Sequence, residues 1–190
     1  MSEADRQKWD TKYKNSDMLA LVPSRVVTAV SHLLPENGDA LDVAGGSGRH
    51  AVWLAQRGLE VTLADISEVG LVIAKTYAEQ AGVRLQTLQI DFDNEPFPSG
   101  PWDLIVSVCF LSRDLFEGFR ATLKAGGTLL VLQPTKSNLQ RHEKPPERFL
   151  LDDGELQSLV GGLQIIHYEE GWLADGRHDA LLVARKPVNE

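Results

Sequence analysis

Cysteine is almost missing from this chain. Cys109 is the single one in 190 residues, so an internal disulfide and a cysteine-built zinc site are both excluded. Long apolar runs are missing too: nothing approaches the ~18 consecutive apolar residues of a membrane span, and no membrane association is expected. The segment Met1-Ser2-Glu3-Ala4-Asp5-Arg6-Gln7-Lys8 lacks the apolar core of a secretory leader, which makes the cytoplasm the expected location. Positive charge is scarce, with 19 Lys and Arg against 27 Asp and Glu and a net charge of −8. A dedicated nucleic-acid binder must neutralise phosphates, so that class is disfavoured, although a small local basic patch is not. No internal repeat or low-complexity tract is visible. The length suits one well-filled domain over residues 1–190 and is too short for two comfortable ones.

What is present is concentrated in Leu41-Asp42-Val43-Ala44-Gly45-Gly46-Ser47-Gly48-Arg49-His50, with Asp65 further on. The stretch reads as a buried strand, a glycine turn, a helix, a second strand (60–64) and a carboxylate at that strand's end. Glycines let a ligand approach backbone where a β-carbon would clash. An acid closing the second strand is placed to accept both hydroxyls of a ribose. These residues point to an adenosine-containing ligand. Gly46-x-Gly48-x-x-Ala51 satisfies the loose dinucleotide fingerprint, which alone is a weak signal. Asp42 argues the other way. A carboxylate beside the turn would repel a pyrophosphate but attract a ligand carrying an ammonium group.

The pattern along the chain alternates strand and helix. An apolar stripe over residues 24–34 predicts a helix before the first strand (40–44). A helix over 48–57, a strand over 60–64, a helix from Ser67 to about Gln80 and a strand over 84–90 follow. Residues 102–108 predict a fourth strand, 112–123 a helix closed by Gly126-Gly127, and 128–132 a fifth strand. This βαβα order argues for a mostly parallel sheet covered on both faces. Residues 134–148 read as a polar loop, Asp152-x-x-Glu155 as a capping-box helix start, and 162–168 and 178–185 as two strands with a short link, hence antiparallel neighbours.

The run Leu41 to Gly48 resembles the hydrophobic-Asp-hydrophobic-x-Gly-x-Gly-x-Gly signature of the class I S-adenosylmethionine-dependent methyltransferases, with Gly46-Ser47 where that family often has Cys-Gly or Thr-Gly. Leu123-Lys124-Ala125-Gly126-Gly127-Thr128-Leu129-Leu130-Val131 is similar to the family's post-helix signature, in which two glycines make the helix exit into the fifth strand. The resemblance implies an α/β, Rossmann-like doubly wound fold: a seven-stranded, mostly parallel sheet with a C-terminal antiparallel hairpin. It implies S-adenosyl-L-methionine as cofactor. Asp65 would then hold the ribose and Ile66 one face of the adenine. Asp91 would accept from the adenine amine, with Phe92 against the ring and Asp93 a rival for Asp91. Ala44, Gly45 and Gly46 in the turn and Ser107 at the end of the fourth strand complete the expected cofactor set, with Asp42 and Arg49 near the amino-acid end. Trp9 and Tyr13 resemble the family's Trp-x-x-x-Tyr start, so Tyr13 is expected to close over that end, packing of its own helix being the alternative.

Ser107-Val108-Cys109-Phe110 stands where the amino methyltransferases carry an Asn-Pro-Pro-Tyr motif, which argues against that class. The run Asn138 to Leu151 looks like the tellurite-resistance methyltransferase branch. There, an Arg/His pair and a second Arg line the acceptor pocket; the matching residues are Arg141, His142 and Arg148. Two guanidiniums and an imidazole would suit a small oxyanion or a carboxylate. A solvated charge-rich loop is the plainer reading of the same run. The expectation is a methyltransferase acting on a small-molecule acceptor (a chalcogen oxyanion, thiol or carboxylate compound), with no metal, no nucleic-acid partner, and a monomer or homodimer. The alternative is a catalytically silent S-adenosylmethionine-binding module or partner subunit. A nicotinamide oxidoreductase is disfavoured by Asp42 and by the lack of a second domain.

Overall fold

The structure is a computed structural model that describes residues 3–15 and 21–188. The chain begins with α1 (Glu3–Lys14) and α2 (Arg25–Ala29), then β1 (Gly38–Val43), α3 (Arg49–Gln56), β2 (Leu59–Asp65), α4 (Glu68–Gln80) and β3 (Gln86–Gln89). It continues with β4 (Trp102–Val108), α5 (Leu115–Thr122), β5 (Leu123–Pro134), α6 (Glu155–Leu159), β6 (Gln164–Trp172) and β7 (His178–Arg185). The strands form one seven-stranded sheet in the order β3-β2-β1-β4-β5-β7-β6. β3 to β5 are parallel, and β7 runs antiparallel to both β5 and β6. The mostly parallel sheet and the antiparallel hairpin are those expected. No helix among the described residues is long and apolar enough to cross a membrane.

Alternation along the strands builds two apolar layers. Leu41, Val43, Ile105, Leu129 and Val131 pack with Leu115, Phe116 and Phe119 of α5 and Leu156 of α6. Ala40, Leu104, Val106, Leu130 and Leu132 face the opposite way, against Val27 of α2, Ala51 and Leu54 of α3, and Leu71 and Ala74 of α4. Central strands buried on both faces account for their near-continuous apolar sequence.

Three local expectations differ from the structure. The helix predicted over 24–34 is α2 followed by a 3₁₀ turn at Ser31–Leu33. Its branched residues Val26, Val27, Thr28 and Val30 carry the apolar stripe but lose rotamer freedom in a helix, and Ser24 makes no side-chain cap. Gly126-Gly127 does not close α5. That helix ends at Thr122, whose hydroxyl donates to the Gly118 carbonyl, and Leu123 already pairs with Trp102. The glycines serve close approach within β5: a β-carbon on Gly127 would lie 2.8 Å from the Trp102 carbonyl oxygen. Only half of the capping box forms. Glu155 Oε2 accepts from the Asp152 amide at 2.8 Å, but the Asp152 carboxylate pairs with Lys136 at 2.7 Å, so α6 starts behind Gly154 instead.

Candidate functional site

The strand order reverses between β1 and β4, and crevices at such a point, outside the carboxyl ends of the strands, are where open α/β sheets bind ligands. The turn between β1 and α3 lies there. Its backbone is left-handed at Ala44 (φ 53), Gly46 (φ 57) and Gly48 (φ 83). Gly48 also lets α3 start close against α4, since a β-carbon there would sit 2.7 Å from that of Ala74.

Asp42 stands under this turn, near the carboxyl end of the central strand, and is 1% exposed. Its Oδ2 is buried without a hydrogen-bond partner. Burial, and then the charge of Asp65, push its pKa up to about 7, while the Ala51 amide and Arg49 act to lower it. Asp65 closes β2 and is also buried. Its Oδ2 accepts from the Gly46 amide and its Oδ1 from the Ser67 amide, each at 2.8 Å, so this carboxylate fixes the glycine turn from below. Burial raises its pKa as well, against the lowering effect of those amides. Two buried carboxylates at one turn form a site that favours a cation and rejects a polyphosphate.

His50, in the first turn of α3, is buried and accepts from the Ser24 amide at Nε2, 3.2 Å away. Burial drives its pKa down to about 3. Folding therefore keeps Asp42 protonated up to about pH 7 and His50 neutral down to about pH 3, and the two contributions oppose each other. From about pH 4 to 7 the unfolded chain has lost the Asp42 proton that the native chain keeps, so stability falls by ~1.4 kcal/mol per pH unit. From about pH 3 to 6.5 the unfolded chain binds a proton at His50 that the native chain does not, so stability rises at a similar rate. Their sum is close to flat between about pH 4.5 and 6. Denaturant melts should accordingly show Asp42→Asn gaining stability with rising pH relative to the parent, and His50→Gln losing it. Parallel profiles for all three proteins would refute both shifts.

α1 lies over the turn. The Asp10 carboxylate accepts from the Ser67 hydroxyl and, at 3.3 Å, from the Val69 amide, docking α1 onto the amino end of α4. A β-carbon on Gly46 would meet the Tyr13 hydroxyl at 2.0 Å, so that hydroxyl lies directly on the turn. Burial, reinforced by Asp65, pushes the Tyr13 pKa upward. Tyr13 thus sits at the turn, and it also stacks on Trp9 with ring centroids 6.0 Å apart. The cleft below α1 is lined by Trp9, Tyr13, Ala44, Asp65, Ile66, Cys109 and Phe110 and measures about 50 Å³. Ligand pockets typically measure ~300–1,000 Å³, so in this arrangement α1 fills most of the space above the turn. Two wider grooves lie at the amino ends of the strands, around Glu60 and Gln86 and around Leu34 and Arg185. Gly126 and Gly127 line the second, but neither groove holds a buried carboxylate.

Of the expected cofactor residues, Tyr13, Ala44, Asp65 and Ile66 line this cleft; Arg49, Ser107, Asp91 and Phe92 are not in its lining. Arg49 opens α3, and its charge acts on both Asp42 and Tyr13. The Ser107 hydroxyl donates to the Phe110 carbonyl at 3.3 Å, bracing the loop after β4. Asp91 accepts from the Asn94 amide group and the Asp93 backbone, within its own turn. Phe92 is buried in the apolar core, its ring 5.8 Å from that of Phe110; Phe110 and Ile66 face the cleft instead.

Arg141 and His142 come together on the β6–β7 turn. The Arg141 guanidinium stacks on Trp172 at 3.7 Å, and His142 Nε2 donates to the Gly176 carbonyl at 2.9 Å. Arg148 lies apart, over the Phe149 ring at 4.7 Å. No hydrogen bond, ion pair or ring contact joins it to the other two among the described residues. Asp153, Glu170 and His178 have ligand atoms within 4.8 Å of one another. Each is already engaged, with Ser137, with Gly154 and Tyr168, and with Thr135 respectively.

Asp10, Phe110, Arg177 and Asp179 also stand at the site, and no motif in the sequence marks them. Asp10 had a weak signal, one residue after Trp9 in the amino-terminal helix. The others depend on which loops the sheet order brings to one edge.

The fold and the buried carboxylates at its switch point define a doubly wound α/β domain with its candidate ligand site at the carboxyl ends of the central strands. Residues 40–127 match a family described as a methyltransferase domain. Over 102 residues the chain is 38% identical to the ubiquinone/menaquinone biosynthesis C-methyltransferase UbiE of Bordetella parapertussis, covering 49% of this chain and 39% of that protein. A putative methyltransferase, YqeM, of Bacillus subtilis is 32% identical over 150 residues, covering 70% of this chain and 60% of its own length. The chain thus spans less than two thirds of the length of these curated relatives. The crystal structure of TehB from Haemophilus influenzae shares the fold with a TM-score of 0.69 and 22% identity, over 95% of this chain and 66% of that one.

Proposed function

We propose that this chain moves the methyl group of S-adenosylmethionine to a small-molecule acceptor. One observation carries the reading: the buried, unpartnered Asp42 Oδ2 at the glycine turn, beside a second buried carboxylate. S-Adenosylmethionine fits that donor set, since it carries an ammonium and a sulfonium and no phosphate. When bound, it supplies an electrophilic methyl group.

The residues divide the work. Asp42 receives the ammonium, with Arg49 and Tyr13 at the same amino-acid end. Asp65 accepts the ribose hydroxyls on the lone pairs its backbone bonds leave free. Asp91 takes the adenine amine, with Ile66 and Phe110 against the ring and Phe92 supporting Phe110. Ala44, Gly45 and Gly46 keep side-chain bulk away, and Ser107 steadies the loop that carries Phe110. α1 closes over the ligand and excludes water, so the protein's contribution is alignment and electrostatics.

The acceptor arrives on the Cys109 side, towards the loop of Arg141, His142 and Arg148. Arg141 and His142 act there through the turn they brace. A thiol or chalcogen acceptor is nucleophilic without a strong base. A hydroxyl or ammonium acceptor would need His142 released from the Gly176 carbonyl to act as one.

Calorimetry tests the reading. S-Adenosylmethionine and adenosylhomocysteine should bind in the micromolar range, on the order of −8 kcal/mol, and NAD much more weakly. Asp42→Asn should weaken S-adenosylmethionine and leave adenosine unchanged. NAD binding tighter than both would overturn the proposal.

A further inference from the structure

The β6–β7 turn delivers one side chain to the cleft that none of the roles above uses. Arg177 is held on two sides: its Nε lies 3.1 Å from Asp175 Oδ2, and its Nη2 lies 3.3 Å from Asp179 Oδ2. The remaining nitrogen, Nη1, points at the Cys109 sulfur, 3.9 Å away. Cys109 lines the cleft beneath α1 together with Asp65 and Phe110. The guanidinium therefore reaches the edge of the site where a methyl acceptor has to stand.

Asp179 is the unusual member. Its side chain is 0% exposed, and neither carboxylate oxygen has a donor in hydrogen-bonding geometry. Asn138 is near enough to favour its charged form, but the Asn138 amide group donates to the Thr135 and His178 carbonyls. A buried carboxylate costs stability unless it is paired, and the pairing here is a single ion contact to Arg177. Asp175, on the other side, is exposed and closes the turn by accepting from the Arg177 amide at 3.1 Å. Both carboxylates restrain the guanidinium from behind, and Arg141 and His142 restrain the turn itself. Such an arrangement fixes the direction of the guanidinium's free edge. A salt bridge serving stability alone would not need a hairpin tip braced from four sides.

Burial holds the Cys109 thiol above its usual pKa, while charges of both signs act on it: Arg177 from the β7 side, Arg49 from α3 and Lys12 from α1, against Asp179. Three elements thus converge cations on one point. A planar, preoriented guanidinium is suited to carboxylates and oxyanions, which it binds through two parallel hydrogen bonds.

We propose that Arg177, positioned by Asp179 beside the Cys109 thiol, anchors an anionic group, a carboxylate or an oxyanion, on the methyl acceptor. This rests on the reading of the adjoining cleft as the methyl-transfer site. Asp179 is a positioning residue, because its oxygens are out of a ligand's reach. Arg141 and His142 are positioning residues too. The anion is held at Arg177, one turn away from the residues that the sequence singled out for it.

Cys109 supplies a reporter that needs neither cofactor nor acceptor. Its thiolate displaces iodide from iodoacetate, an anion, or from iodoacetamide, its neutral analogue, and the chain has no other cysteine. The ratio of the two rates, normalised to free cysteine in the same buffer, should favour iodoacetate at least tenfold. Arg177→Gln should abolish that preference, and Arg177→Lys should restore part of it, because an ammonium keeps the charge but not the fork. A ratio equal to that of free cysteine, or one unchanged in Arg177→Gln, overturns the proposal. Adenosylhomocysteine binding, measured on the same variants, shows that they are folded and tests the cofactor reading separately. Turnover of mercaptoacetate and of selenite, each against 2-mercaptoethanol, distinguishes a carboxylate from an oxyanion. Arg177→Gln should raise KM for the anionic acceptor and leave KM for 2-mercaptoethanol and for S-adenosylmethionine in place. A uniform fall in kcat for all of them would mark Arg177 as structural and refute the anchor.

Discussion

Asp65→Ala is expected to weaken S-adenosylmethionine binding by ~10²–10⁴-fold, because two charge-assisted hydrogen bonds to the ribose, each ~1.5–3 kcal/mol, are lost together. The side chain has a second task, and the same substitution frees the Gly46 and Ser67 amides that it holds at 2.8 Å. Ligand affinity and fold stability should therefore drop at once. Asp65→Asn separates the tasks. Its amide oxygen still accepts from one backbone amide, while its NH2 group faces a donor at the other backbone amide and leaves the ribose a neutral partner in place of a charged acceptor. Calorimetry with S-adenosylmethionine and with its methionine moiety alone reads the difference: the first should weaken strongly in both variants, and the second only as far as the turn is disturbed. Affinity unchanged for both ligands, with lower thermal stability, would leave Asp65 as a turn-holding residue and remove the ribose assignment.

Much of this geometry was legible in the sequence for identifiable reasons. The switch-point turn is local: strand, glycines and helix are consecutive, so Asp42, Gly45, Gly46 and Asp65 follow from spacing. The parallel sheet followed from buried strands alternating with helices. What stayed hidden depends on contacts between distant segments. Arg177 looked like one more charged residue in a short link, since its importance comes from Cys109 and Asp179 meeting it at the sheet edge. The same holds for Asp10, which becomes a clasp only when α1 meets the amino end of α4. Arg141 and His142 were singled out through a resemblance, and the structure sets them against the hairpin tip, on Trp172 and Gly176, and not in the cleft. The boundaries of α2 and α5 moved where branched residues and a local threonine bond outweighed apolar periodicity, an outcome set by backbone and side-chain preferences rather than by pattern.

Gly45→Ala should have the second large effect, although it adds one methyl group. A β-carbon at Gly45 would lie 2.6 Å from Asp42 Oδ2, 2.7 Å from Asp42 Cγ and 3.0 Å from Leu63 Cγ. None of these atoms can give way cheaply. Leu63 is fully buried in the sheet, and Asp42 is 1% exposed in the central strand. Overpacking of this kind costs ~1–3 kcal/mol of stability, which a melt would register as a modest loss with the fold retained. The larger consequence falls on the ligand. The carboxylate must turn away from the turn, and its contact with an ammonium is worth ~1.5–3 kcal/mol, or ~10–150-fold in affinity. A double-mutant cycle shows whether the effect runs through Asp42. In an Asp42→Asn background, Gly45→Ala should weaken S-adenosylmethionine little further, because the interaction it disrupts is already gone. Additive losses would mean that the glycine is needed for direct approach of the ligand to the backbone. Affinity retained in Gly45→Ala alone would show that the Asp42 carboxylate does not receive the ammonium, and the observation on which the proposed function rests would then have to be explained by another cation.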